Sequence, residues 1–523
     1  MRNSKNLQTA WIVGLFWSFT VFVLLVATLH LSDFNTDEII TYNVVRENWI
    51  KLTSNRINNT HSPLYFWLLK PFAEFSNDPI WIRYVSALLA AGSVGVLAGT
   101  IAFSCSRVAA VLLGILFMSS PAFMYIGHLA RPYALLMAFT ATSLSCAFLL
   151  FRQIGDGSKA CLAAESRKSR HTWRILQFSM IGAAWTMMAG VFSVIAIFLA
   201  PFIIPKIRSE KAFIAFWLRR MIPALIAGAI IGAILLPSML RRAGTYWAAK
   251  SFPLSADTVI DAFAGALVHN IPWVDLRLQS WIQVIVIGAA LCLFAIGVLK
   301  RNRYPNVFPP AIALAVGLPL ALIVISLHTS ILVPRYFYLA APGFLCVMAL
   351  GGSVLYESRA GAALLFVVAP FFLAQGFSAA TWERTSPWGS TAQMMAGLAE
   401  KSDAIVVMPP FNIRDLDFYL RAMGNPKSSF ELRRGSRRPE RLKEKIREMV
   451  ETRRVVWLVA RSRAGHNKLN LSDLSTKEIR FCLIQEGPIS ISAFYSSSSK
   501  LVAHQHCGNR TSYNSDDHLL RKH

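Results

Sequence analysis

The first acidic pair of the chain lies in a polar stretch, Leu31-Ser-Asp33-Phe-Asn-Thr-Asp37-Glu38-Ile-Ile-Thr-Tyr42, between long apolar runs. Adjacent carboxylates point in different directions on any regular element, so Asp37 and Glu38 need not share one role. Either could serve as a general base or as a cation ligand. Asn35, Thr36 and Asp37 are also good N-cap residues and acids suit a first turn, so the same stretch reads as the start of a helix. His61, in His61-Ser-Pro63-Leu-Tyr65-Phe-Trp67, is a candidate hydrogen-bond partner for Asp37, and otherwise a loop histidine. Two arginines stand beside tyrosines: Arg131 in His128-Leu-Ala-Arg131-Pro132-Tyr133, and Arg335 in Pro334-Arg335-Tyr336-Phe337-Tyr338 after His328. Such an arginine can anchor a helix at a membrane interface. A fixed guanidinium also donates two parallel hydrogen bonds to phosphate oxygens, and both readings stay open here.

What must position these residues is set by composition. The 523 residues are 54% hydrophobic and only 15% charged, with a mean hydropathy of +0.45, which excludes an ordinary water-soluble enzyme. The formal charge of +25 would suit a nucleic-acid binder, but the basic residues are scattered between apolar runs, so no nucleic-acid partner is expected. Ten stretches lack any Asp, Glu, Lys or Arg: 6–32, 84–106, 108–130, 132–151, 175–205, 221–240, 278–299, 304–334, 336–356 and 360–382. Each is long enough to cross a bilayer core as a helix. The stretch 175–205 as one helix would reach about 46 Å, well beyond a ~30 Å core, and is read as two short or re-entrant helices turning near Gly190. Eleven crossings follow. With the N-terminus inside, eighteen Lys/Arg fall in the inner segments against eleven in the outer short segments, which obeys the positive-inside rule and puts the C-terminus outside. The first run, after Arg2 and Lys5, is expected to be a retained anchor, since it is longer than a usual signal core and shows no clear cleavage site before Asp33.

The fold class expected is therefore an α-helical polytopic membrane protein. Residues 1–382 form its membrane domain, and the outer loop 31–78 carries the acidic motif. Residues 383–523, with 24 Lys/Arg and 15 Asp/Glu and no further spanning run, make a hydrated second domain. In it, Ala404–Met408 and Val455–Ala460 read as strands and Arg438–Glu451 as a charged helix, a small α/β module. Cys482 and Cys507 are the only cysteines of this exported part and can pair with each other. Sequons at Asn58, Asn470 and Asn509 are short patterns expected by chance.

The order of motifs resembles a known family. It comprises the Asp37-Glu38 pair, His61-x-Pro63-Leu-Tyr65, Ile82-Arg83-Tyr84-Val-Ser86-Ala-Leu88, Ala130-Arg131-Pro132-Tyr133-Ala-Leu135 and the late Arg335-Tyr336. Together these are similar to the GT-C membrane glycosyltransferases, and within them to the glycosyltransferase family 39-like proteins. That group includes protein O-mannosyltransferases, the aminoarabinose transferase ArnT and Rgt galacturonosyltransferases. Residues 10–140 carry the resemblance best, and the rest carries it by topology.

The resemblance implies transfer of a hexosyl or pentosyl unit from a polyprenyl-phosphate-linked sugar donor to a lipid, glycan or protein acceptor. The reaction would take place on the outer face of a bacterial inner membrane. The family's catalytic acid maps to Asp37, with Asp33 an unmatched extra acid. Glu38 and His61 are supporting residues or ligands of a possible divalent cation, and Arg131, Arg335 and Tyr336 would hold the donor phosphate. The outer stretch Arg241–Gln279, with Tyr246, Trp247, Lys250 and Trp273, would contact lipid phosphate or acceptor. Tyr65, Trp67 and Trp81 are expected as belt or packing residues.

Neither a Gly-x-Gly-x-x-Gly turn after a strand nor a P-loop occurs, and the inner segments are too short for a nucleotide-sugar domain. A carrier already loaded with sugar removes that need. The competing readings are a flippase for lipid-linked sugars, an oligosaccharide ligase and a non-enzymatic scaffold. The flippase would be expected to show internal repeats and ionisable groups at mid-membrane, whereas the acids here stand at the edge.

Overall fold

The computed structural model describes residues 2–155, 167–203, 211–242, 254–269, 274–327, 333–381, 387–400, 402–423, 431–435, 439–453, 455–461, 479–485 and 489–496. Tyr246, Trp247, Lys250, Trp273, His328, Cys507, Asn470 and Asn509 lie outside them. The chain divides into two compact units, Met1–His30 with Thr41–Trp382, and Leu31–Ile40 with Glu383–His523.

The first unit is a helical bundle. Among the described residues eight helices are long and apolar enough to cross a membrane. A ninth joins them if Arg107–Ser119 and Pro121–His128, bent by 68° at their break, count as one span. Eleven crossings were expected; with the bent pair counted, the difference lies in 175–205. Its two helices are present as Arg167–Thr186 and Ala189–Leu199, but the first begins in a basic stretch and the second is short. The chain reverses where expected: a Cβ on Gly190 would lie 1.9 Å from the carbonyl oxygen of Ala183, so the backbones approach as only glycine allows. The helix Arg2–Thr28 packs on Ile80–Ser104 by a similar device, Gly95 meeting the main chain of Gly14. Burial grades the spans. Tyr133–Arg152 and Arg335–Leu355 each have 78% of their apolar window buried against 22% for Arg359–Thr381, so the former are interior and the latter faces outward. The polar stretch after the first span is not a loop but three helices, Thr36–Val45, Trp49–Asn58 and Leu64–Phe75.

The second unit is built on a five-stranded sheet: β1 (Ala404–Met408), β2 (Glu431–Arg434), β3 (Val456–Arg461), β4 (Ile479–Gln485) and β5 (Ile489–Ser496). The order is β2-β1-β3-β5-β4, with β1 parallel to β2 and β3, and β5 antiparallel to β3 and β4. Successive side chains of a strand point to opposite faces, and here both faces are covered. Ile405, Val407, Trp457 and Val459 pack with the helices Trp388–Leu398 and Ile413–Ala422. Val406, Met408, Leu458 and Ala460 pack with Leu442, Ile446 and Met449 of the helix Pro439–Thr452. Because the chain runs from β1 out to β2 and back past β1 to β3, two crossovers of the usual hand must place their helices on opposite faces. Both strands and the charged helix expected from sequence are found at these places. Cys482 is disulfide-bonded; Cys507, its expected partner, is outside the described residues.

Candidate active site

Asn35 begins the helix Thr36–Val45 with a reciprocal pair of hydrogen bonds. Glu38 N–H donates to Asn35 Oδ1 at 2.9 Å, and Asn35 N–H donates to Glu38 Oε2 at 3.1 Å. This is a capping box, and it accounts for the complete burial of Glu38. The helix-start reading therefore holds for Glu38. Asp37, one residue earlier in the same turn, is half-buried and points elsewhere, as neighbours on a helix must.

The segment Leu31–Ile40 belongs to the second unit, and the contacts responsible are specific. The Phe34 ring packs on Phe418 with centroids 5.9 Å apart, and Phe34 N–H donates to the Tyr419 hydroxyl at 2.5 Å. Asp33 Oδ2 accepts from Gly389 N–H at 2.6 Å, so the unmatched acid of the stretch is an anchor. Thr36 Oγ1 donates to Asp415 Oδ2 at 2.7 Å, and Asn412 Nδ2 donates to the same oxygen at 2.5 Å. Asp415 is buried, and its other oxygen is buried with no hydrogen-bond partner among the described residues. Burial pushes its carboxyl up to about 6, with the bonds from Thr36 and Asn412 and the charge of Arg461 opposing and the charge of Asp37 adding. Asp37 and Asp415 are thus neighbouring acids although they stand far apart in the chain. No local pattern separates Asp415 from Asp417 on the same helix, and only the packing of Leu416 and Leu420 fixes which side is buried.

In the first unit Arg131 lies in the bend between the helices Pro121–His128 and Tyr133–Gly155, and it is buried. Its Nη1 donates to Thr41 Oγ1 at 3.4 Å, and Thr41 is itself buried on the helix Thr36–Val45. Arg335, half-buried at the start of its span, has its guanidinium carbon 5.9 Å from the centre of the Tyr133 ring. The Tyr133 phenol feels the charges of both Arg335 and Arg131 and the neighbouring phenols Tyr336 and Tyr125. Tyr125 in turn meets Tyr338 edge-on with ring centroids 6.1 Å apart. The two arginines and Tyr336, taken from distant parts of the sequence, therefore gather round one buried tyrosine. The helix Ala256–Leu267, capped by Ser255, borders the group: Phe263 packs on Phe337, and Gly265 faces the Tyr338 hydroxyl. It falls within the stretch 241–279 expected to be a loop.

His61 is half-buried in the turn before Leu64, with its main-chain N–H donating to the Arg56 carbonyl at 2.9 Å and its ring centroid 6.4 Å from that of Phe66. Among the described residues no group of three or more His, Cys, Asp or Glu side chains is arranged to hold a metal ion, and Glu38 is already engaged by its cap. His128 is buried and doubly bonded, to Thr28 Oγ1 at 2.7 Å and to the Met124 carbonyl at 2.6 Å. Tyr65 is buried against Ser86, and Trp67 donates to Thr53, as packing residues do. Arg83 reaches the Leu29 carbonyl at 2.9 Å, closing the end of the first span.

No family model and no curated protein sequence matches the chain. Solved structures do resemble it. ArnT from Cupriavidus metallidurans in the apo state shares 14% identity over 94% of this chain and 99% of that one, with a TM-score of 0.49. The same protein bound to undecaprenyl phosphate gives 13% identity over 94% and 99%, with a TM-score of 0.48. The archaeal oligosaccharyltransferase AglB from Archaeoglobus fulgidus, in complex with an inhibitory peptide and a dolichol-phosphate, gives 12% identity over 93% of this chain and 74% of that one, with a TM-score of 0.48.

Proposed function

We propose that the chain is an integral membrane glycosyltransferase that moves one sugar from a polyprenyl-phosphate carrier to an envelope acceptor. The reaction takes place at the outer, periplasmic face of a bacterial inner membrane. The observation that carries this reading is the convergence of Arg131 and Arg335 on Tyr133 at the ends of the two most buried spans. Interfacial anchors would be expected on outward-facing helices, whereas these guanidiniums face protein. Two cations fixed in a low-dielectric surrounding suit a phosphate that gains charge as a bond breaks. The motif order around Asp37, His61, Arg131 and Arg335 supports the same class.

In the proposed reaction an acceptor hydroxyl attacks the anomeric carbon, the bond from that carbon to the carrier phosphate oxygen breaks, and the hydroxyl proton passes to Asp37. The leaving group is already a phosphate, so no carboxylic acid is required to protonate a departing sugar oxygen. Arg131 and Arg335 would balance its added charge, with Tyr336 orienting an oxygen. The half-buried setting of Asp37 in a first helical turn suits a base that must meet an acceptor arriving from water.

The test uses the purified protein in lipid discs with a panel of polyprenyl-phosphate sugars, measuring deglycosylated carrier. Asp37→Asn should lower kcat by about a hundredfold or more with membrane insertion intact. Wild-type turnover in that variant would remove Asp37 from the mechanism.

A further inference from the structure

We infer that Asp415 is a positioning residue for the proposed base: through its hydrogen bond from Thr36 it holds the first turn of the helix Thr36–Val45, and with it Asp37, in the orientation that turnover needs. The inference rests on the reading of Asp37 as the base.

Three observations on the second unit carry it. Thr36 and Asn412 both donate to Asp415 Oδ2, so a short bridge runs from the Asp37 turn through a single buried carboxyl oxygen to the helix Ile413–Ala422. That helix is itself fixed from below by Leu416 and Leu420 in the core under the sheet, so the bridge ends on a rigid element. The remaining oxygens of the bridge, Asp415 Oδ1 and Asn412 Oδ1, are buried without hydrogen-bond partners among the described residues. Burying a carboxyl costs free energy that an apolar anchor would not. The segment is already anchored by Phe34 on Phe418 and Asp33 on Gly389. What the Thr36–Asp415 bond adds is control of rotation of the turn about its own axis, because it acts one residue from Asp37.

The experiment is a double-mutant cycle on the full-length protein. Thr36→Val removes the donor at constant shape, and Asp415→Ala removes the acceptor. Each should lower kcat about tenfold with the donor KM changed less than twofold, and the double variant should be no worse than either single one. Thr36→Ser and Asp415→Asn, which keep the bond, should rescue kcat to within about threefold. Amide exchange of residues 35–40, which requires no substrate, should rise severalfold in Thr36→Val and Asp415→Ala and should not rise further in the double variant. Additive losses, or a Thr36→Val variant with wild-type kcat, overturn the role of Asp415. Turnover by Asp37→Asn at the wild-type rate overturns the parent reading instead, and the exchange cycle would still report whether the bond holds the turn.

Discussion

At the scale of single residues the chain separates two kinds of charged group. Glu38, Asp33, Arg83 and His128 are each bonded to main-chain or cap partners at 2.6–3.1 Å, and they read as structure. Arg131 and Arg335 stand beside Tyr133, and Asp37 is half-buried in the first turn of its helix; in the proposed reaction they serve the donor phosphate and the acceptor hydroxyl. Arg335→Ala should raise the donor KM about tenfold or more, because a hydrogen bond to a charged group contributes roughly 1.5–3 kcal/mol, while the KM for acceptor stays near the wild-type value. Steady-state kinetics with donor and acceptor varied in turn checks this, and an unchanged donor KM would make Arg335 an anchor. Asp415 makes a prediction of its own about pH. Its folded-state carboxyl is raised from an ordinary 3.8 to about 6, so folding binds an extra proton between these values. The stability this brings is fully present below about pH 3.8 and is lost as the pH rises through about 6. Thermal midpoints of the second unit should therefore fall between pH 4.5 and 7 in the wild type, and Asp415→Asn should flatten that slope. A wild-type midpoint that rises over this interval would show that Asp415 is ionised throughout.

At the scale of elements the helices are set by the apolar period and their positions by small residues. Gly190 lets Ala189–Leu199 fold back on Arg167–Thr186, and the carbonyl of Ala183 occupies the space a side chain would need. Gly190→Val should lower the thermal midpoint of the detergent-solubilised protein, an overpacking cost of about 1–3 kcal/mol or more, whereas Gly232→Ala, with open space around it, should leave it unchanged. Equal midpoints for both variants would remove the hairpin from the packed core. In the outer stretch 241–279 the helix Ala256–Leu267 is apolar but, at 12 residues, too short to span, and its sequence signals are only the Ser255 cap and Asp257 in its first turn.

At the scale of the whole molecule the question is which side of the membrane the second unit occupies. The charge balance of the short segments predicts the outside. An alkaline phosphatase fused after residue 400 should then be active in a bacterial host, and the same fusion placed after Arg303 should be inactive. Cys482 is disulfide-bonded, which fits an oxidising compartment. It should resist maleimide labelling in intact membranes until a reductant is added, and immediate labelling would argue for the reducing side.

The apolar runs by themselves determined the helical bundle and the break near Gly190, because burial in lipid demands a length and a composition that a sequence displays directly. Ala404–Met408 and Val456–Arg461 were legible for the same reason, as short buried strands between turn residues. What tertiary structure alone decided is who stands next to whom. Asp37 was visible as a candidate, but its neighbour Asp415 comes from a different part of the chain, and no local pattern encodes a hydrogen bond from Thr36 to that residue. Likewise Arg131 and Arg335 stand far apart in the sequence, and only packing brings both beside Tyr133. Spacing along the chain constrains neighbours within one element, whereas packing fixes neighbours between elements, and a polar group's role follows from the second.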